Sequence, residues 1–203
     1  MARRRISRFT RGASTESTVS GGGASSEAGI VDYIAGHCDG RTVTSSTGTT
    51  YTLGTASILA LTTSHQVLPG SSIAYTPPSG ATSVLYRFFF NNTYIDYDMI
   101  PHFAVQLDGT QINVARWTTR DRGYSSYNRP FQFRCLEAHI QIGDTNDVAN
   151  AKVNGWSSSK TIRCTGREYS SSYESQVNYM HYWDGAGNTG IQYPQLFIIA
   201  YKN

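Results

Sequence analysis

"PHFAVQLDGTQINVARWTT" (residues 101–119) decides the fold. Phe103, Val105 and Leu107 alternate with their neighbours, Asp108-Gly109 supplies a turn, and Ile112 and Val114 alternate on the return. A period of two marks a half-buried strand, and Asp-Gly accepts the positive φ angles of a tight hairpin. The stretch is predicted to be a β-hairpin with a two-residue loop.

Upstream of the hairpin, "TSVLYRFFF" (82–90) reads as an aromatic strand. "RTVTSSTGTTYTLGTASILALTT" (41–63) is β-branched and broken by Gly48 and Gly54, which suits one or two strands. Pro69-Gly70 and Pro77-Pro78 signal turns. In "FQFRCLEAHIQIG" (131–143) the apolar residues move from odd positions (Phe131, Phe133, Cys135) to even ones (Leu136, Ala138, Ile140, Ile142). That switch predicts a β-bulge or a strand passing between sheets. "GDTNDVANAKVNGW" (143–156) reads as a loop with one helical turn. "KTIRC" (160–164) and "QVNYMHYW" (176–183) are further strands, and "DGAGNTG" (184–190) is a glycine turn. "PQLFIIAY" (194–201) is a continuous apolar run, as expected of a central strand buried on both faces.

The composition agrees. Tyr (14) and Gly (19) are abundant among 203 residues, and charged residues make up only 15%, so the surface must be largely hydroxyl and amide. The pattern gives about eight strands and no helix of ten residues. The expected class is all-β, a single eight-stranded jelly-roll sandwich over residues 29–203, two Greek keys folded into facing sheets. Residues 1–28 carry three consecutive glycines and few apolar side chains; they are expected to form a disordered basic N-terminal arm and tether.

Charge is concentrated in that arm. "MARRRISRFTR" holds Arg3, Arg4, Arg5, Arg8 and Arg11 with no acid, and the rest of the chain carries 12 basic against 14 acidic residues. The net +3 therefore belongs to the arm, and the body is close to neutral. Arginine pairs with phosphate through a forked, permanently charged group, so the arm is expected to bind nucleic acid. A second basic stretch, "RWTTRDRGYSSYNRP" (116–130), interleaves Arg116, Arg120, Arg122 and Arg129 with Trp117, Tyr124 and Tyr127. Such interleaving suits contact with phosphates and bases, and Arg116, Arg120 and Arg122 are candidate nucleic-acid-binding residues.

Signs of catalysis and of metal binding are weak. The three cysteines, Cys38, Cys135 and Cys164, form neither a disulfide framework nor a C-x-x-C pair, and are expected to be buried thiols. The five histidines have no metal spacing; Asp96 and Asp98, which with His102 could make an oxygen-rich cation site, are expected to be solvated. Glu168 and Glu174 are the candidate acid pair, with nothing in the sequence to couple them. The expectation is a non-enzyme with no cofactor and no metal. No apolar run reaches the length of a membrane span, and no hydrophobic stretch follows the arm as in a secretory signal.

Taken together, the "ARRRISRFTR" arm, the Gly/Ser/Thr tether and the β body resemble the capsid proteins of small icosahedral single-stranded viruses, of circular single-stranded DNA or satellite type. The resemblance implies a homo-oligomeric T=1 shell of about 60 copies, with the arm turned inward to touch the single-stranded genome, DNA favoured over RNA. It also implies location in the virion. "RRRISR" resembles a nuclear import signal as well, which would take the protein through the host nucleus during assembly. About 60 arms bring roughly 300 charges against about 600 phosphates of the coding nucleotides alone, so other cations must supply the rest. "TSVLYRFFF", "YWDGAGNTG" and "PQLFIIAY" are similar also to trimeric C1q/TNF-like heads of phage or virion fibres, which would imply receptor or glycan binding.

Overall fold

Asp108 and Gly109 both take positive φ, 48° and 83°, in the computed structural model of the chain, which describes residues 28–94, 98–122, 131–181 and 189–203. Two positive φ angles at the centre of a two-residue loop match the right-handed twist of the strands they join. The hairpin therefore forms as expected, between Pro101–Leu107 and Thr110–Thr118. The Asp108 carboxylate accepts a hydrogen bond from the Thr161 N–H at 2.8 Å, which ties the turn to the next strand across.

The described residues are nearly all β, with no α-helix and one 3-10 turn at Val148–Asn150. The strands that build the core are β1 (Gly29–His37), β2 (Gln66–Val67), β3 (Ile73–Tyr75), β4 (Ser83–Tyr94), β5 (Pro101–Leu107), β6 (Thr110–Thr118), β7 (Gln132–Ile142), β8 (Lys160–Glu168) and β9 (Gln195–Lys202). In the first sheet they lie in the order β1-β9-β4-β7. In the second the order is β6-β5-β8, with β2 and β3 both along the far edge of β8. Thr42–Thr44 and Thr50–Thr52 make a separate small hairpin from the 41–63 stretch. Ser175–Val177 continues the first sheet beside the end of β4.

Each sheet turns one face to a shared core. Val84, Tyr86, Phe88 and Phe90 of β4 are buried at alternate positions, opposite Phe103, Val105 and Leu107 of β5. Burying each such side chain contributes about 1.5–3 kcal/mol. A polar bridge crosses the core: the Tyr86 hydroxyl donates to Ser71 O at 2.7 Å and lies 3.4 Å from Cys164 Sγ, while Cys164 N–H donates to Ser71 Oγ at 3.0 Å. Because every partner is buried, the bridge fixes how the sheets sit over one another.

Four expectations need correction. β7 pairs with β4 over ten residues without a register shift, so no bulge or sheet switch occurs at Cys135–Leu136. Its even positions face the core, and Phe133 and Cys135 stand on the outer face, Phe133 at 75% exposure. Cys135 is thus not a buried thiol, unlike Cys38 and Cys164. The bulge lies in β6 instead, between Gln111 and Arg116, and leaves Ile112 buried but Val114 68% exposed. β9 is central, between β1 and β4, yet only Leu196, Ile198 and Ala200 are fully buried; Phe197, Ile199 and Tyr201 are half-buried on the other face. The 176–183 stretch is also interrupted, at Asn178 (φ 62°), into Ser175–Val177 and Tyr179–His181. Tyr182 and Trp183 lie outside the described residues.

Candidate nucleic-acid interface

The register of the second sheet assembles a cationic outer face. His102 of β5 pairs with Thr118 of β6 on one side and Arg167 of β8 on the other. Two residues along, Ala104 pairs with Arg116 and with Thr165. Residues two apart share a face, so these rows point away from the core that Phe103 and Val105 enter. His65, next to β2, completes the group, and the side chains line a cavity of about 340 Å³ with Gln111 and Trp117.

Among the described residues the lining holds two guanidinium groups and two imidazoles, and no carboxylate. Arg116 Nε donates to Asn113 O at 3.0 Å, across the β6 bulge, and Arg167 Nη1 donates to Glu168 O at 3.2 Å. Both histidines are held below the ordinary imidazole value. For His65 burial is the largest cause, followed by the charges of Arg167 and His102; for His102 it is burial and then Arg167. His102 Nε2 is buried without a hydrogen-bond partner among the described residues, and so is Thr165 Oγ1 beside it. Arg163 stands one row further on the same sheet and donates to Gln106 Oε1 at 3.0 Å.

No protein-family model matches the chain, and no curated protein does. The chemistry of this face therefore has to be read from its own residues.

Of the candidate arginines among the described residues, Arg116 lines the cavity. Arg120 is exposed beyond the end of β6, and Arg122 lies in a short strand, Asp121–Arg122, paired with Asp98–Met99. Arg3, Arg4, Arg5, Arg8, Arg11, Arg129, Tyr124 and Tyr127 lie outside the described residues, as does Asp96. Trp117 has a structural task. Its ring stacks on Phe103 (5.9 Å between centroids, 16° between planes), and the Arg134 guanidinium sits 4.3 Å from the ring centroid. Phe88, Phe90, Phe103, Trp117 and Arg134 form a ladder from core to surface, with Arg134 Nε also donating to Asn92 Oδ1. The Trp117 ring is thus packed against Phe103 and Arg134 while the residue keeps 36% exposure.

Sequence reading missed His65, His102 and Arg167 as members of one site. The signal was present in "IRCTGR" (162–167), where Ile162, Cys164 and Gly166 alternate with Arg163, Thr165 and Arg167. The histidines have no metal spacing to mark them, and the strand pairing that gathers them is long-range.

Glu168 and Glu174 stand in different surroundings. Glu168 is fully buried; its Oε1 accepts from the Ser175 hydroxyl at 2.5 Å and its Oε2 from the Ile100 and Tyr169 N–H groups. Glu174 is exposed.

The outer face of the first sheet is different in kind. Phe89, Phe133 and Tyr193 line a cavity of about 370 Å³ with Cys135, and Phe89 packs edge-on against Phe197 at 5.5 Å. Arg87 and Glu137 on this face neutralise one another in an ion pair, and Arg134 also lines the cavity.

Proposed function

We propose that the chain is the shell-forming protein of a small icosahedral single-stranded virus, a jelly roll that tiles with copies of itself and holds the genome through Arg3, Arg4, Arg5, Arg8 and Arg11. The observation that carries the reading is the strand order. With β2 and β3 counted as one interrupted strand, the chain visits the first sheet as 1-8-3-6 and the second as 5-4-7-2. That is the order produced by folding two Greek keys into facing sheets. A near-neutral body and a cationic arm add to it: copies of the body can meet without mutual repulsion while the arm seeks phosphate.

The chemistry of the described residues agrees with a structural role. The buried Glu168 is occupied by three donors within the protein, and burial pushes the Cys38 thiol up to about 12, so it stays protonated at neutral pH. The test is assembly and cargo. Purified full-length protein is expected to sediment as a megadalton particle containing nucleic acid. Deleting residues 2–11 is expected to leave the fold intact and to cut both the packaged nucleic acid and its salt dependence. A trimeric fibre head would instead sediment as a trimer. Equal packaging by the truncated chain would refute the role of the arm.

A further inference from the structure

We propose that the cavity on the outer face of the second sheet is a phosphate-binding site, with Arg116 and Arg167 supplying fixed charge and His65 and His102 taking up protons as the phosphate group enters. The inference deepens the function proposed above, and rests on it only for the source of the phosphate, a polynucleotide backbone rather than a free ion.

Three observations converge on this site. The first is its composition: two guanidinium groups and two imidazoles meet in about 340 Å³, near the lower end of the range of about 300–1,000 Å³ for ligand pockets. The carboxylate nearest in sequence, Glu168, is turned into the core, where Ser175, Ile100 and Tyr169 hold it. The second is His102 Nε2, a buried polar atom with no partner among the described residues. Such atoms are rare in folded proteins, and an oxyanion entering this cavity would provide an acceptor. The third is placement. The groups stand on three paired strands and the residue next to a fourth, so their spacing is set by backbone hydrogen bonds rather than by a loop.

Proton uptake follows from the same geometry. The titratable and charged groups around the two histidines are Arg116 from β6, Arg167 and the inward-turned Glu168 from β8, Tyr169 just after β8, and each other. Burial first, and then the charge of Arg167, opposes protonation while the cavity is empty. A phosphate group offsets that charge and favours the imidazolium form, so binding and protonation reinforce one another. Affinity should therefore rise as pH falls through the histidine range, by up to about tenfold per histidine per pH unit.

Titration calorimetry on the full chain, in two buffers of different ionisation heat, counts the protons taken up. The probes are inorganic phosphate and a short oligodeoxythymidine. The expected result is binding with proton uptake above that of the His65→Gln/His102→Gln double variant, and at least roughly tenfold weaker phosphate binding in Arg116→Gln/Arg167→Gln. If the arginine pair proves necessary for folding, Arg116→Gln alone, at an exposed position, carries the test. Uptake with both probes supports a backbone phosphate. Uptake with phosphate alone supports the site and removes the polynucleotide as its source. Oligonucleotide binding without histidine-dependent uptake, and without any effect of Arg116→Gln, overturns the site while leaving the arm's role standing.

Discussion

Two buried carboxylates answer to pH with opposite signs. Burial pushes the Asp32 carboxyl up, but hydrogen bonds from Ser46, Ser45, Tyr75 and the Thr47 N–H outweigh it and hold the group below its ordinary value. Its contribution to stability is present above that ordinary value and is lost as pH falls through the folded value. Asp32→Ala strips the acceptor from the Tyr75 hydroxyl (3.0 Å) and the Thr47 N–H (3.1 Å), and should cost about 2–4 kcal/mol in urea unfolding at neutral pH. For Glu168, burial is the largest effect and exceeds the bonds from Ser175, Ile100 and Tyr169, so its carboxyl is raised. The stability it contributes is present below the ordinary glutamate value and is lost as pH rises through the folded value. Glu168→Gln keeps an acceptor for the two backbone N–H groups, and the Ser175 hydroxyl can turn to accept. From pH 4 to 7 the variant should gain on the wild type; a gap moving the other way would contradict this account.

At the scale of elements, the β5–β6 hairpin and the closeness of β5 to β8 rest on two glycines. Gly109 has φ 83°, and a side chain there costs about 1–2 kcal/mol. Gly166 has no unusual backbone, but an added Cβ would stand 2.9 Å from the Phe103 ring and 3.1 Å from Leu68 Cδ2. Gly166→Ala must therefore move the ladder that ends at Trp117 and Arg134, and should cost about 1–3 kcal/mol. Thermal unfolding of both variants reads these costs, and only Gly166→Ala should also change Trp117 fluorescence. Phe103 was legible as a core residue from its alternation. Its contact with Gly166 was not, because the two residues meet through a pairing more than sixty positions apart.

Over the whole molecule, the two sheets turn outward faces of opposite chemistry. One carries Arg116, Arg163, Arg167, His65 and His102; the other carries Phe89, Phe133, Phe197 and Tyr193 around a self-neutralised ion pair. In the shell reading the aromatic face meets a second copy, since the Arg87–Glu137 pair on it already cancels and Phe133 stands 75% exposed. Phe133→Glu should leave urea unfolding within about 0.5 kcal/mol of wild type, as at other exposed sites, and abolish large particles in sedimentation velocity. Particles of undiminished size would rule this face out as a contact between copies.

The amino-acid order alone gave the all-β class, the Asp108-Gly109 turn and the shared face of Phe103, Val105 and Leu107 in β5, and it concentrates the positive charge in residues 1–11. Each depends on a period of two, on turn chemistry or on charge counting, all local properties. Only the tertiary structure decided that Phe133 and Cys135 face outward, that the bulge lies in β6, and that His65, His102, Arg116 and Arg167 line one cavity. Alternation says which residues share a face but not which face meets the core. That is settled by pairing between distant strands, whose register no short window of sequence contains.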